Sequence, residues 1–290
     1  MKLEKVVQKL APAVPLLQCP KCGTGFQLTG TSLCCERGHC FDLSAKGYVN
    51  VVPEHRQSAD KYDDALFASR ALIMQGPYYQ PLRQLLKCLL EEATLPENFV
   101  LLDVGCGEGT HTEFLAQSFP TASVFGADIS RAAIQKAAGG QTKAHWLICD
   151  LKHLPFQNGT VDGVLDILTP ADYREFARVL KPGGLLMKVF PDDGYLQEIR
   201  TALSPYLQNG ESYSSDPVEA YLNQHAEIIE SHRIKAQFPL TEEASQAFLH
   251  MTPMRFSVPE HVLQDIRLSE ITIALRVCCC RLPSFGSLYS

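Results

Sequence analysis

Val100 to Thr110 reads VLLDVGCGEGT, with Phe99 ahead of it. A short apolar run that ends in a glycine-rich turn reads as a strand buried in a parallel sheet. Gly105, Gly107 and Gly109 let the backbone turn sharply and approach a ligand with no Cβ in the way. A helix is expected from about His111, aiming its free N–H groups at whatever lies over the loop. Dinucleotide-binding folds use GxGxxG at this place, with the pyrophosphate on the helix N-terminus. Here the order is Asp-x-Gly-x-Gly-x-Gly, with Asp103 two residues before the first glycine. A glycine-rich turn of another α/β domain would look the same in isolation, so the rest of the chain has to decide.

Downstream, strands and helices alternate. His111–Ser118 reads as a helix, Ala122–Asp128 as a strand ending in an acid, Arg131–Ala138 as a helix and Ala144–Asp150 as a third strand, again closed by an acid. An acid at the end of the second strand can accept both hydroxyls of a ribose. Val161–Leu168 follows as a fourth strand leading to Thr169-Pro170. Asp172–Leu180 is then a helix, Lys181-Pro-Gly-Gly184 a tight turn, and Leu185–Phe190 a fifth strand. Tyr195–Leu203 reads as helical, His232–Pro239 and Ile271–Cys280 as antiparallel strands that finish the sheet, and Leu249–Met254 as the end of a helix, stopped by Pro253. Upstream, one helical pattern runs from Asp64 to Gly76-Pro77, and another from Tyr78 to about Ala93. Tyr79, just ahead of the glycine loop, is a candidate ligand contact, with plain packing as the rival reading.

The 290 residues, 46% hydrophobic and 20% charged, describe a soluble globular chain. No apolar run approaches a membrane span. Lys2, Lys5 and Lys9 precede a weak apolar stretch broken by Pro12 and Pro15, a poor signal peptide, so a cytoplasmic protein is expected. The net charge of −6 is uneven. Residues 1–57 hold seven Lys/Arg against four Asp/Glu, so the remainder carries −9, and any polyanion is expected at the N-terminal part.

Five of the eleven cysteines fall between residues 19 and 40, and Cys278-Cys279-Cys280 is a consecutive run. Neighbours on a strand face opposite ways, so that run cannot pair internally. A reducing compartment with metal-bound thiolates, rather than disulfides, is the expectation. Cys19-Pro-Lys-Cys22 is a CxxC knuckle, and Cys35-Glu-Arg-Gly-His39 completes a Cys₃His set of the composition of a structural zinc site. Cys34 and Cys40 compete as ligands; Cys35 is preferred because it leaves three residues before His39. Phe41, Tyr48, Val49, Val51 and Val52 can close such a ribbon onto the next unit, although Tyr48 could instead stack on a base. Residues 54–63 read as a polar linker.

The order DxGxGxG resembles motif I of class I S-adenosylmethionine (SAM) methyltransferases. CPxC, then CxxxHxFDxxxxGYVNxxP, YxPL, DxGCGEG and a late MTP together resemble the RlmA/TlrB family of 23S ribosomal RNA (guanine-N1)-methyltransferases. The resemblance implies an α/β, Rossmann-like class I methyltransferase domain (93–290), preceded by a small zinc-ribbon module (1–55) and a helical linker or cap (56–92). It implies zinc on Cys19, Cys22, Cys35 and His39. It implies the donor SAM among Tyr79, Asp103, Gly105, Gly107, Glu108, Gly109, Thr110, Asp128, Asp150 and Tyr195, with Asp103 near the amino-acid end and Asp150 near the adenine amino group. The implied partner is a hairpin of helix 35 in 23S rRNA, gripped in part by the zinc module; no membrane is involved and a homodimer is allowed. The chain departs from its relatives at Asp166-Ile-Leu-Thr-Pro170, where they tend to carry an aromatic, and at Tyr195, where some carry a histidine. Asp166 and His153 are placed where a base could act, but neither is assigned. The rival function is methylation of a small molecule or protein, the zinc ribbon being purely structural.

Overall fold

The computed structural model describes residues 3–52, 64–140, 142–207 and 213–283. The linker expected at 54–63 lies outside them. Helix α1 (Leu3–Leu10) passes into a 3₁₀ segment at Ala11–Leu16, where Pro12 and Pro15 end the α pattern. Neither helix was expected in a stretch read only as a weak apolar run; Val6 and Leu10, four apart, form its buried face. Strands β1 (Phe26–Thr29), β2 (Ser32–Cys35) and β3 (Cys40–Asp42) make a three-stranded antiparallel sheet. Strand β4 (Tyr48–Asn50) does not join it. Helices α2 (Asp64–Gln75) and α3 (Gln80–Glu92) follow, the second with Pro81 in its first turn, where no backbone donor is lost.

The alternating unit then runs β5 (Val100–Val104), α4 (Thr110–Ser118), β6 (Ser123–Asp128), α5 (Arg131–Ala137), β7 (His145–Ile148), β8 (Val161–Ile167), α6 (Tyr173–Val179) and β9 (Leu180–Pro191). After it come α7 (Gln197–Leu203), α8 (Asp216–His225), β10 (Glu227–Pro239), α9 (Glu242–Met251), α10 (Glu260–Asp265) and β11 (Glu270–Arg281). The main sheet has the order β10-β11-β9-β8-β5-β6-β7-β4. Strands β4 to β9 in it run parallel, while β11 is antiparallel to both β9 and β10.

Every residue of β5 is buried, and its period of two sorts the core into two faces. Leu101 packs with α3, α4, α7 and α9 on one side. Val100, Leu102 and Val104 face the other, where Phe125, Phe156 and Phe176 meet Leu17, Phe26, Leu33 and Phe41. The segment that carries the zinc ligands therefore shares one core with the sheet. Leu17 bridges to Phe156, Gln18 N donates to Pro155 O at 3.1 Å, and β4 pairs with β7 as an additional parallel edge strand. Tyr48 is buried and its hydroxyl accepts from Gln135 Nε2 at 3.1 Å, so it packs rather than stacks on a base.

Four local expectations are corrected. Lys181-Pro-Gly-Gly184 does not end before a strand; it is a bulge inside β9, between the pairs Val161–Leu180 and Gly163–Leu185, with Gly183 at φ +77°. Helix α7 starts at Gln197 rather than Tyr195, because Leu196 takes a left-handed φ of 52°. Strand β10 begins at Glu227, and α8 and α10 went unread because their apolar stripes are short. Finally, Cys34 and Cys40 are disulfide-bonded. They sit directly opposite each other in the β2–β3 register, a placement that spacing along the chain does not disclose.

Candidate donor pocket and zinc centre

Two backbone knuckles hold the four expected zinc ligands. Gly23 N donates to Cys19 O at 2.8 Å and Gly38 N to Cys35 O at 2.9 Å, folding each short ligand pair back on itself. Cys22 Sγ lies 3.6 Å from Cys35 Sγ, and His39 Nδ1 lies 3.5 Å from both Cys19 Sγ and Cys35 Sγ. All four ligand atoms fall within 4.8 Å of one another. Tetrahedral zinc bonded at its usual lengths separates sulfur from sulfur by about 3.8 Å and sulfur from nitrogen by about 3.6 Å, so the set fits the ion. Thr24 Oγ1, 3.2 Å from Cys22 Sγ, supports it from outside. Cys34 and Cys40, engaged with each other, leave the choice of Cys35 unopposed. Four protein ligands close the shell, which makes the site structural.

The glycine loop sits where the sheet reverses its order of addition. From β5 the chain builds outward through β6 and β7, then returns to place β8 on the other side of β5, and crevices at such points take ligands. Gly105, Gly107 and Gly109 all have positive φ. A Cβ on Gly105 would stand 2.5 Å from Thr169 Oγ1, and one on Gly109 would run into the Trp146 ring, so the loop can lie this deep only without side chains. Gly105 N and Cys106 N both donate to Ala127 O, at 2.8 and 3.1 Å, lashing the loop to the end of β6. Asp128 completes the tie: one carboxylate oxygen accepts from Gly107 N at 2.9 Å, the other from Ser130 N at 2.8 Å. Thr110 opens α4.

Asp103 is buried at the end of β5, where one oxygen accepts from Thr112 Oγ1 at 2.5 Å. Burial pushes its pKa up to about 7, the Thr112 bond opposes the rise, and the negative charges of Asp128, Asp166 and Glu108 add to it. On the far wall Tyr79 and Tyr195 join hydroxyl to hydroxyl at 2.6 Å, linking the start of α3 to the turn before α7. Tyr79 is fully buried and meets the edge of His111, whose pKa burial depresses to about 3. Asp150 stands two residues beyond β7, which ends at Ile148 rather than at the acid; it accepts from Lys152 N at 3.0 Å and lies 3.4 Å from His153 Nδ1. Residue Ile148 pairs with Asp128, so both acids leave neighbouring strands at the same end of the sheet.

Asp166, one of the two residues placed where a base could act, sits near the end of β8. It has no exposed surface and is bonded to Lys188 Nζ at 2.7 Å, which also donates to Thr169 O at 2.7 Å. Lys188 and Arg70 were not picked out from the sequence. A lone lysine in Leu-Leu-Met-Lys-Val-Phe was a readable signal for a buried ion pair; Arg70, on a helix read only by its apolar positions, carried none.

Seven buried side-chain polar atoms lack a hydrogen-bond partner among the described residues. Arg70 Nε, Asp103 Oδ1, Glu108 Oε2 and His111 Nδ1 are four of them, all at the glycine loop. Buried polar groups are ordinarily satisfied. Orphans concentrated around one cradle mark the place of a polar ligand, and a glycine loop with an acid before it and acids on the next two strands suits a nucleoside carrying an amino-acid end. A donor with a sulfonium and an ammonium favours the ionised form of Asp103. Its affinity is therefore expected to rise severalfold from pH 6 to pH 8 and to flatten above, with proton release on binding near pH 7, and Asp103→Asn to remove the slope. Calorimetry in buffers of different ionisation enthalpy measures both; a flat profile in the native protein would exclude Asp103 as the titrating group.

A sheet with this order and one reversed strand, a glycine loop at its switch point and acids leaving the neighbouring strands together define a class I SAM-dependent methyltransferase, here built onto a Cys₃His zinc ribbon. A family described as methyltransferase domain matches residues 101–184, and one described as RlmA, N-terminal, matches residues 17–59. YxjB of Bacillus subtilis, which carries the name of a 23S rRNA (guanine-N(1)-)-methyltransferase, is 32% identical over 276 residues, 89% of this chain and 94% of that protein. The 23S rRNA (guanine(748)-N(1))-methyltransferase of Streptomyces fradiae is 27% identical over 277 residues, 92% of this chain and 97% of that one. The chain belongs to the RlmA family. No described helix is long and apolar enough to cross a membrane.

Proposed function

We propose that the chain transfers the methyl group of SAM to N1 of a guanine in 23S rRNA, within the hairpin of helix 35. The observation that carries the reading is the joining of two independent parts in one body: an orphan-lined donor crevice at the switch point and a zinc ribbon matched over residues 17–59. Lys5, Lys21, Arg37 and Lys46 are exposed on the N-terminal part and available to phosphates, whereas Lys9 is turned inward onto the carbonyls of Thr142 and Ala144.

Bound SAM supplies an electrophilic methyl on sulfur. Guanine N1 holds a proton, so its lone pair is not free until that proton leaves. The chain's contribution is orientation: Tyr79 and Tyr195, fixed to each other, and Thr169, packed over Gly105, give the crevice rigid walls. Asp166 stays with Lys188 and supports the β8 end from behind. A hairpin guanine must also be unstacked to enter, at about a few kcal/mol, which favours a loop or weakly paired nucleotide.

The test uses purified protein, labelled SAM and 23S rRNA fragments with and without the hairpin, the modified nucleoside being identified by mass spectrometry. The expected product is 1-methylguanosine, formed only when the hairpin is present. Transfer to no rRNA, with SAM binding intact, would move the function to a small-molecule or protein acceptor.

A further inference from the structure

Two cysteines outside the ligand set bracket the second zinc knuckle. Cys34 precedes Cys35, Cys40 follows His39, and the two are disulfide-bonded, so the bond closes a ring of chain that contains two of the four ligands. The pleat sorts these side chains by face. On β2 and β3, Leu33, Cys35 and Phe41 are buried, whereas Ser32 and Cys34 are half-buried and Cys40 and Asp42 are exposed. The register sets Cys34 opposite Cys40 and, on the same outer face, Ser32 opposite Asp42, where Ser32 Oγ donates to Asp42 Oδ1 at 2.6 Å. Cys35 thus faces the core while the disulfide faces water. Inside the ring, Cys35 N donates to His39 O and Gly38 N to Cys35 O, each at 2.9 Å. Those two backbone bonds and the disulfide are what this chain supplies to keep Cys35 and His39 together.

A disulfide that solvent reaches exchanges with small thiols and disulfides, and buried thiols do so far less readily. Cys19 and Cys35 are buried, so a reagent meets the outer pair first. We propose that Cys34 and Cys40 form a reversible dithiol–disulfide site whose state sets how tightly the ribbon holds zinc. To close it, the Cys34 thiolate attacks a low-molecular-weight disulfide, forming a mixed disulfide and expelling one thiolate. The Cys40 thiolate then attacks the Cys34 sulfur and expels the second. The pair gives up two electrons and two protons, and the reagent is reduced to two thiols. An excess of the same thiol runs both steps backward. With the bond closed, a chain that has lost its metal cannot spread Cys35 away from His39. The metal-free state then has less conformational freedom, and the balance moves toward bound zinc. The inference is independent of which molecule accepts the methyl group.

The zinc-loaded full chain is treated with oxidised glutathione or with a phosphine reductant, freed of reagent and kept under inert gas. Alkylation with peptide mass mapping reads Cys34, Cys40 and the exposed, free Cys88, and competition with a chromophoric chelator reads zinc affinity. The Cys34–Cys40 bond is expected to form and to open with zinc retained. The oxidised chain is expected to hold zinc about 10–50-fold more tightly than the reduced one. The double variant Cys34→Ser with Cys40→Ser, shown to be folded by its melting curve, should match the reduced chain after either treatment. Equal affinities in the two states of the native chain would make the bond a surface tie and overturn the proposal. A bond that the phosphine does not open, or thiols that oxidised glutathione does not join, would overturn its reversibility. Loss of zinc on oxidation, from native chain and variant alike, would place the reactive thiols in the ligand set and overturn it as well.

Discussion

Stripping the zinc is expected to destabilise the whole described chain, not the ribbon alone. In small zinc modules the metal contributes roughly 10–16 kcal/mol of apparent binding energy, comparable with the roughly 5–15 kcal/mol net stability of an entire domain. Cys19 and Cys35 are core residues in contact with the cluster that runs through Phe26, Leu33 and Phe41 to Phe125 and Phe156 on the main sheet. With the ribbon unfolded, that face of the sheet loses its cover. Calorimetry with and without a strong chelator should show one transition moving down by many degrees, and Cys22→Ser should reproduce the shift without chelator. Two transitions, the upper one unmoved, would show that the sheet stands without the ribbon.

Lys188→Met should be the most damaging single substitution near the site. It strands Asp166, which has no exposed surface, and breaking a buried pair by removing one partner costs about 3–5 kcal/mol. Even beside Lys188, burial pushes the Asp166 pKa up to about 6, while the lysine charge and its hydrogen bond hold it down. Without the lysine it climbs further. Both folded proteins hold a proton that the unfolded chain releases near pH 4, but the native one gives it up near pH 6 and the variant only higher, so the variant's deficit relative to the native protein should grow as pH rises above about 6 and be smaller, and level, in acid. Adding Asp166→Asn should recover much of the loss while methylation persists, because the pair supports the strand rather than moving protons. Urea titrations at pH 4.5 and pH 8 read the sign; a deficit independent of pH would rule out the stranded acid as its cause.

The parts legible in the sequence were those where chemistry and local geometry coincide. Three glycines at alternate positions after Val100–Val104 admit little but a tight loop, and the Cys19/Cys22 and Cys35/His39 spacings set two knuckles; the observed turns follow both. Elements whose identity depends on distant partners were not legible. Tyr48–Asn50 reads as part of a small ribbon patch, and only the β7 edge makes it a strand of the main sheet. Cys34 and Cys40 meet through a register, not a spacing. Lys181–Gly184 has turn residues, but the strands on either side keep pairing around it, so a turn became a bulge. Arg70 shows the same limit at the site: an exposed-looking position on a helix became a pocket residue because α2 lies against α9 and over the loop.

The seat of β4 also bears on how the molecule avoids its own kind. A parallel sheet ends in a row of free amides and carbonyls, a template for another chain. Here Tyr48–Asn50 occupy that row along β7, and β4 is only three residues long, too short to recruit a strand in turn. The segment bearing the zinc ligands thus also terminates the sheet, and a version cut down to its methyl-transferring part would leave a sticky border where the native chain has a finished one.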